Sequence, residues 1–309
     1  MSARPILCIT GTTGSGKNEI GARAARRLGG EVLSLDSMKV YRGMDIGTAK
    51  PTPAQQALAK HHLIDILDPR DGMHLKRFIE MANDVIASLE REGKTPVIVG
   101  GTAMYLMGLL YGVYEGPSRD DDFRAVLAAE RDERGVPALH ARLGEIDPAA
   151  AAKIDPNDYK RIERALEVHA STGRAPSELR TGWFTGPRRP ASVYIITWPR
   201  DLLRRRIEKR VDEMLVEGWI DEVRRLRDQG GFGREAAMAL GYREILAFLD
   251  DQLTLDECST LIKTRTWQFS RRQMTWMKKL PDAVTISLEP GADLDLIVDR
   301  IVGEFRGTV

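Results

Sequence analysis

The chain has 309 residues, of which 42% are hydrophobic and 29% charged, so it is a folded globular protein rather than a mostly disordered one. Its formal net charge of +1 neither favours nor excludes a polyanionic partner, so any nucleic-acid site must depend on local clusters of Lys and Arg. Cys8 and Cys258 have no metal-ligand spacing, and no apolar run at the start is long enough for a signal peptide or a membrane span, which together favour the cytoplasm.

Short β-rich runs alternate with helical patterns in the first third of the chain. The patterns predict strands at residues 5–10, 31–35, 62–67 and 95–99, and helices at residues 17–28 and 75–91. Strands that alternate with helices of this length form crossover units. The sequence therefore predicts an α/β fold, with a parallel sheet core flanked by helices on both faces.

The pattern changes near Gly116 and Pro117. Residues 120–179 show no strand pattern, which predicts an all-helical insertion domain at 117–190 that ends in a Gly/Pro/Arg-rich linker at 181–190. Beyond it the sequence predicts strands at 192–197 and 283–286 and helices from 199, at 256–280 and at 294–305. We expect residues 1–116 and 191–309 to form the core together.

A glycine-rich segment lies between the first predicted strand and the first predicted helix. It fits the G-x-x-x-x-G-K pattern of a phosphate-binding loop, and it consists of Gly11, Thr12, Thr13, Gly14, Ser15, Gly16, Lys17 and Asn18. Backbone N–H groups of such a loop, the helix N-terminus and the lysine all face phosphate oxygens. Asn18 replaces the usual Ser or Thr that ligates Mg²⁺, and its amide oxygen still permits a magnesium contact.

Two further polar residues follow predicted strands. Asp36 follows the strand at 31–35, and Thr102 follows the strand at 95–99 after Gly100 and Gly101. Because ligands bind beyond the carboxyl ends of parallel strands, we expect both side chains in the same crevice as the phosphate-binding loop. Taken alone, Asp36 is also typical of a turn and Thr102 of a helix N-cap.

At these residues the chain resembles the tRNA dimethylallyltransferases, also called tRNA isopentenyltransferases. The matching segments span nearly the whole chain: the phosphate-binding loop and residues 36–51, 61–65, 100–102, 155–158, 164–168, 241–244 and 271–276. The resemblance implies a P-loop NTPase-like core with a helical insertion. It also implies transfer of a dimethylallyl group from dimethylallyl pyrophosphate to the N6 amine of the adenosine 3′ of the anticodon in tRNA.

The resemblance also implies roles for the site residues. Asp36 is the general base, Thr102 orients it, and Lys17 with Mg²⁺ stabilises the departing pyrophosphate. The implied tRNA contacts are Asp36, Ser37, Met38, Lys39, Thr102, Arg124, Lys160, Arg161, Arg164, Gly241, Tyr242, Arg243 and Arg272. Without the resemblance, the basic residues at 160–164 would be interpreted as a solvated helix face.

Three positions depart from the usual family pattern. Asn18 stands for Ser or Thr, Lys39 for Gln, and Trp267 for an Arg that helps to bind pyrophosphate. We hypothesise that Lys39 or Arg271 supplies the charge missing at position 267. The departures bear on the geometry of the metal site and on the affinity for pyrophosphate. They do not change the expected reaction class, because Lys17, Asp36 and Thr102 are all present.

Other functions stay open at this point. An adenylate isopentenyltransferase would use the same chemistry without needing a second domain, and a P-loop kinase would have Ser or Thr at position 18. A catalytically silent tRNA-binding homologue is a third alternative. His61 and His62 are adjacent on a predicted strand and point to opposite faces, which argues against a shared metal ion. Nothing in the sequence requires more than a monomer.

Overall fold

A six-stranded parallel sheet forms the centre of the protein. We describe it from a computed structural model, which covers residues 5–112, 116–117, 119–179 and 188–307. The spatial order is β3-β2-β4-β1-β5-β6, and the strands are β1 (Ile6–Gly11), β2 (Glu31–Leu35), β3 (His61–His62), β4 (Pro96–Gly100), β5 (Ala191–Thr197) and β6 (Val284–Ser287).

Helices account for most of the remaining described residues. They are α1 (Lys17–Arg27), α2 (Pro53–Leu58), α3 (Leu75–Arg91), α4 (Ala103–Tyr111), α5 (Asp121–Arg134), α6 (Val136–Ile146), α7 (Pro148–Ala151), α8 (Tyr159–Thr172), α9 (Pro176–Leu179), α10 (Arg200–Val216), α11 (Trp219–Asp228), α12 (Arg234–Ala237), α13 (Tyr242–Leu249), α14 (Leu255–Met277) and α15 (Leu294–Arg306). No described helix is long and apolar enough to cross a membrane.

The chain divides into two compact units. The larger one joins Met1–Leu110 to Pro187–Val309 and contains the sheet, and the smaller one is Tyr111–Gly186. In the smaller unit the described elements are all helices, and they bury a separate apolar core around Leu127, Leu143 and Ile162. The predicted linker at 181–190 lies outside the described residues, apart from its last three positions.

The central strands explain the position of the candidate site. Every residue of β1, β2 and β4 is buried, as expected for a parallel sheet that is covered on both faces. Gly100 pairs with both Thr10 and Leu35, so these three strands end side by side. The segments that follow them, which begin at Gly11, Asp36 and Gly101, therefore start at one edge of the sheet.

One strand prediction is wrong. The alternation of apolar residues predicted a strand at 62–67, but β3 contains only His61 and His62. Leu63 and Asp65 both adopt positive φ angles, of 59° and 55°, which end the extended conformation. The chain then turns so that the N–H groups of residues 66 and 67 donate to Val40 O at 2.8 and 2.9 Å. The apolar residues of this segment resemble those of a strand, but only Leu63 and Leu67 are buried, and Asp65 between them is exposed.

A buried carboxylate, Glu222, fixes the segment that follows Asp36. It accepts hydrogen bonds from the N–H groups of Asp45 and Ile46, each at 2.8 Å, and from the Tyr242 hydroxyl at 2.6 Å. Gly241 lies against the Trp219 ring with φ of +89°, and a Cβ there would be 2.0 Å from Trp219 Cη2. The indole therefore requires glycine at this position.

We expect Gly241→Ala to destabilise the protein by about 2–4 kcal/mol, because the new methyl group overpacks the Trp219 ring and alanine is strained at positive φ. The free energy of unfolding from urea titration measures this. Gly231→Ala is the matched control, since Gly231 has φ of +79° but open space around its Cα. Equal losses for the two variants would show that backbone strain alone is responsible.

Candidate active site

The loop between β1 and α1 has the backbone of a phosphate-binding loop. Gly14 and Gly16 have φ of 76° and 88°, which side chains rarely adopt. A Cβ on Gly11 would lie 2.4 Å from Ile196 O, so the loop passes too close to β5 for a larger residue. Helix α1 has no side-chain cap at its N-terminus, which leaves its first N–H groups available to an anion.

Several polar groups of this loop have no partner of their own. The hydroxyls of Thr12 and Ser15 are buried and form no hydrogen bond with any described residue. Lys17 Nζ donates to the backbone oxygen of Thr12 at 3.1 Å. Because buried polar groups are normally paired, these hydroxyls indicate a loop that is completed by a polar ligand.

Gln273 on α14 bridges the ends of two strands. Its Oε1 accepts a hydrogen bond from Thr13 N at 2.9 Å, and its Nε2 donates to Gly101 O at 2.8 Å. Gly101 is needed for this contact, since a Cβ there would be 2.5 Å from Gln273 Nε2. The side chain thus ties the phosphate-binding loop to the segment that carries Thr102.

A cavity of about 560 Å³ opens beside the loop and receives side chains from all these segments. Asp36, Thr102 and Lys17 line it, as the sequence predicts. The lining also includes apolar side chains, which are Ile207, Val211, Met214, Trp219, Leu240 and Phe269. The cavity therefore combines a polar end around Lys17 and Asp36 with apolar lining residues, and all of them belong to the α/β unit.

The polar end carries more positive than negative charge. Lys17, Lys39 and Arg210 line the cavity together with Asp36. Lys39 is only 6% exposed, and its ammonium group forms no ion pair with any residue that the structure describes. Burial, with repulsion from Lys39, lowers the pKa of Lys17 to about 7. Burial likewise lowers the pKa of Lys39 to about 8, despite the attraction of Asp36. An anion at this end would restore both charges.

Asp36 is half-buried directly after β2. Its Oδ1 accepts hydrogen bonds from Met38 N at 2.9 Å and from Lys39 N at 3.4 Å. Its second oxygen accepts none from the described residues, so one carboxylate oxygen is held and the other is free to accept a proton. Thr102 is half-buried at the start of α4; its carbonyl accepts from Tyr105 N at 2.9 Å, while its hydroxyl has no described partner.

The sequence did not single out Arg210. It lies on α10 among several other basic residues, most of which face solvent, and nothing in that run distinguishes it from its neighbours. One feature of the sequence could have identified it. Arg210 follows Ile207 and precedes Val211, so the helical period places it at the edge of the buried stripe of the helix.

The similarity of the chain to known proteins agrees with this geometry. A family model described as IPP transferase matches residues 39–280. The chain belongs to this family. The tRNA dimethylallyltransferase of Anaeromyxobacter dehalogenans (strain 2CP-C) is 41% identical over 96% of this chain and 98% of its own length. The tRNA dimethylallyltransferase of Geobacter metallireducens is 42% identical over 97% of each chain.

Solved structures show the same fold. The full-length tRNA isopentenylpyrophosphate transferase of Bacillus halodurans aligns with a TM-score of 0.72 at 36% identity, over 98% of this chain and 97% of that chain. A eukaryotic dimethylallyltransferase acting on tRNA aligns with a TM-score of 0.84 at 26% identity, over 99% and 80%. The predicted family and the predicted α/β fold are both confirmed.

The residues predicted to contact tRNA fall into two groups. Ser37, Met38, Lys39, Arg243 and Arg272 line the cavity, together with Tyr242. Tyr242 is fully buried and its hydroxyl is bound to Glu222, and Gly241 packs on Trp219, so the structure gives both a role in shaping the cavity wall. Their contact with tRNA stays a prediction.

The second group lies in the helical unit. Arg124 and Arg164 both bind the buried carboxylate of Glu167, at 2.7 Å from Arg124 Nε and 2.5 Å from Arg164 Nη1. Although burial opposes ionisation, hydrogen bonds from Arg124 and from Asp120 N lower the pKa of Glu167 to about 2. The carboxylate therefore holds both guanidinium groups in place. Lys160 and Arg161 are exposed on α8, and all four tRNA contacts stay predictions.

The structure separates the two hypotheses for the charge missing at position 267. Lys39 lines the cavity beside Lys17, whereas Arg271 lies with Trp267 in a different groove. This favours Lys39 as the residue that supplies the charge.

We expect the protein to take up protons when inorganic pyrophosphate binds at pH 8, because the anion raises the lowered pKa of Lys39. Lys39→Gln should reduce this uptake by about half a proton. Calorimetric titrations in buffers of different ionisation enthalpy measure the uptake, and comparison of variants cancels the protons of pyrophosphate itself. Lys209→Gln, at an exposed lysine of α10, is the control. The assignment is wrong if the wild type and Lys39→Gln take up equal numbers of protons.

Proposed function

We propose that this protein is a tRNA dimethylallyltransferase, which moves a dimethylallyl group from dimethylallyl pyrophosphate to the N6 amine of the adenosine 3′ of the anticodon. One observation carries the proposal. The cavity joins a phosphate-binding loop, a surplus of cations, one carboxylate with an unbound oxygen, and apolar lining residues. The names of its relatives, at about 40% identity over nearly the whole chain, point to the same reaction.

The donor has a charged end and an apolar end, and the cavity has both. The pyrophosphate would occupy the loop of residues 11–18, where the N-terminus of α1 has no side-chain cap and the hydroxyls of Thr12 and Ser15 have no hydrogen-bond partner among the described residues. The five-carbon group would lie against the apolar residues Ile207, Val211 and Met214. This orientation directs the reacting carbon towards the polar end.

Proton transfer is the role of Asp36. The N6 amine attacks the first carbon of the dimethylallyl group, the carbon–oxygen bond breaks, and its electron pair leaves on pyrophosphate. The amine becomes acidic as the new bond forms, and Asp36 accepts its proton at the carboxylate oxygen that no described residue occupies. Thr102, which lines the same cavity, is suited to hydrogen-bond the amine or the carboxylate.

Cationic side chains stabilise the leaving group. Negative charge builds up on the pyrophosphate oxygens during bond cleavage, and Lys17, Lys39 and Arg210 surround the space where they would lie. Burial lowers the pKa values of these three residues, which means that it destabilises their charged forms. A bound anion would offset this destabilisation. Arg210 and Lys39 together offset the absence of an arginine at position 267.

The loop also fits a magnesium ion. Asn18 supplies an amide carbonyl oxygen at the cavity, which suits a hard cation bound mainly through phosphates and water. Asn18 is the residue that would hold the ion. Bound there, magnesium would neutralise charge on the pyrophosphate.

Recognition of the tRNA would involve both units. We infer that the helical unit, which the sequence places at 117–190, contacts the anticodon stem-loop through Arg124, Lys160, Arg161 and Arg164. Residues 37–39, Arg243 and Arg272 would receive the target nucleotide, which must leave its stack to reach Asp36. We further infer a monomer, because nothing in the sequence requires a second copy, and a cytoplasmic reaction, because tRNA is the acceptor.

We expect Asp36→Asn to lower kcat for prenyl transfer to unmodified tRNA by roughly 10²–10⁴-fold, because it removes the proton acceptor. The assay measures transfer of a labelled dimethylallyl group from dimethylallyl pyrophosphate. Affinity for tRNA, measured by fluorescence anisotropy, should change little, since the amide retains the shape of the side chain. Arg204→Ala, at an exposed residue of α10, is the control.

Each rival predicts a different outcome. Transfer to AMP but not to tRNA would support an adenylate isopentenyltransferase. Binding of tRNA without transfer by the wild type would support a catalytically silent homologue. Wild-type activity in Asp36→Asn would show that another group is the base.

A further inference from the structure

Two side chains outside the cavity bind backbone oxygens of the phosphate-binding loop. Trp198 directly follows β5, and its Nε1 donates a hydrogen bond to Ser15 O at 3.0 Å. Arg206 lies on α10, and its Nε donates to Gly14 O at 3.1 Å. Neither side chain lines the cavity, so neither contacts the substrates that are proposed to bind there. The reaction proposed above gives them no role.

The two side chains also contact each other. The Arg206 guanidinium lies 4.1 Å from the centre of the Trp198 ring, which is the geometry of a cation–π contact. Burial lowers the pKa of Arg206, and no described carboxylate opposes this effect. Its neighbour Arg204, by contrast, pairs with Glu208 at 2.9 Å. Trp198 and Arg206 therefore form one unit with an unneutralised positive charge, and we call this pair the loop brace.

The hydrogen bonds of the loop brace fix two consecutive peptide units. Gly14 O belongs to the unit that ends in Ser15 N, and Ser15 O to the unit that ends in Gly16 N. In a trans peptide unit the N–H and C=O groups point in opposite directions, so both N–H groups are directed away from the brace. Ser15 N donates to Thr12 O at 3.2 Å, whereas Gly16 N donates to no described residue. The Gly16 N–H group is thus left for a ligand of the loop.

Packing alone does not determine how these peptide units are turned. A Cβ on Gly14 would lie 3.2 Å from Ile207 Cγ1 and 3.7 Å from Leu203 Cδ1, so the loop is packed directly on the buried face of α10. Such apolar contacts are not directional. Ser15 also has a glycine on each side, and glycine restricts the backbone least. The orientation of the two carbonyl groups therefore depends on their hydrogen-bond donors.

Helix α10 also places charge on both sides of the loop. Arg210 lines the cavity, and Arg206 lies one helical turn earlier at the Gly14 carbonyl. Burial, with repulsion from Arg206, lowers the pKa of Arg210, which shows that the two guanidinium groups are close enough to interact. An anion in the loop would be attracted by both.

We propose that Trp198 and Arg206 are positioning residues for the pyrophosphate, which they hold in place through the loop without touching it. They keep the peptide units of residues 14–16 turned so that the Gly16 N–H group faces the anion, and Arg206 adds a positive charge behind them. Donors that are oriented in advance need no rearrangement when charge builds up on the leaving group. The proposal rests on the proposed function for the identity of the anion.

Trp198→Phe tests the first hydrogen bond. It keeps an aromatic ring for Arg206 but removes the N–H donor to Ser15 O. We expect the Kd for inorganic pyrophosphate, measured by calorimetry on the full chain, to rise about fivefold. The value of kcat/KM for dimethylallyl pyrophosphate should fall by at least the same factor, while the KM for tRNA stays unchanged. A variant that had merely lost stability would contain less active protein, and its Kd for pyrophosphate would not change.

Arg206→Gln tests the second hydrogen bond and the charge. We expect it to raise the Kd for pyrophosphate about tenfold, and Arg206→Lys, which retains the charge, to recover part of this loss. The double variant Trp198→Phe/Arg206→Gln should lose less affinity than the product of the single losses, because both donors hold the same short segment. Arg204→Gln removes a neighbouring charge of α10 and is the control, which should leave the Kd and both KM values unchanged.

Pyrophosphate binding is measured without tRNA, so failure of this proposal can be distinguished from failure of the proposed reaction. Weaker pyrophosphate binding by the variants of a protein that transfers no prenyl group would support the loop brace and reject only the reaction. An unchanged Kd in both Trp198→Phe and Arg206→Gln would overturn the brace. So would an equal rise in the KM for tRNA, because it would show a general loss of the folded site. A wild type that binds no pyrophosphate would overturn both.

Discussion

The surplus of positive charge around Asp36 is the constraint on which the active site depends. Lys17, Lys39 and Arg210 line the cavity with Asp36, and burial opposes the charged form of each. Asp36 attracts all three cations but forms an ion pair with none of them, so the packing of the sheet and its helices maintains this arrangement. The proposed pyrophosphate would supply negative charge here and would gain most where its own charge increases, in the transition state.

The acidic residues of the protein divide by how completely they are paired. Glu222 and Glu244 are buried and saturated: Glu222 holds the backbone of residues 45 and 46, and Glu244 binds Gly241 N and the Arg265 guanidinium. Saturated carboxylates of this kind fix loops and take no part in proton transfer. Asp36 differs because only one of its oxygens is bound. Incomplete pairing therefore distinguishes Asp36, the proposed base, from these two structural acids.

Local patterns were sufficient to predict most of the sheet and to place the candidate site residues that follow its strands. Helix α3 lies where its apolar periodicity placed it, and Lys17, Asp36 and Thr102 meet because parallel strands end at one edge. What failed or was missed depends on tertiary contacts. The loop after β3 is as apolar as a strand but is turned by two residues at positive φ, and in the sequence Arg210 is one of many basic residues on α10.

Helix α14 shows why a departure from a family pattern need not be a loss. Gln273 on one face ties the phosphate-binding loop to Gly101, and Trp267 on another face lines a separate groove with Arg271. An arginine at position 267 would place its charge in that groove, where Arg200, Arg271 and Lys278 already supply three. Lys39 instead adds its charge inside the cavity, which Lys17 and Asp36 also line.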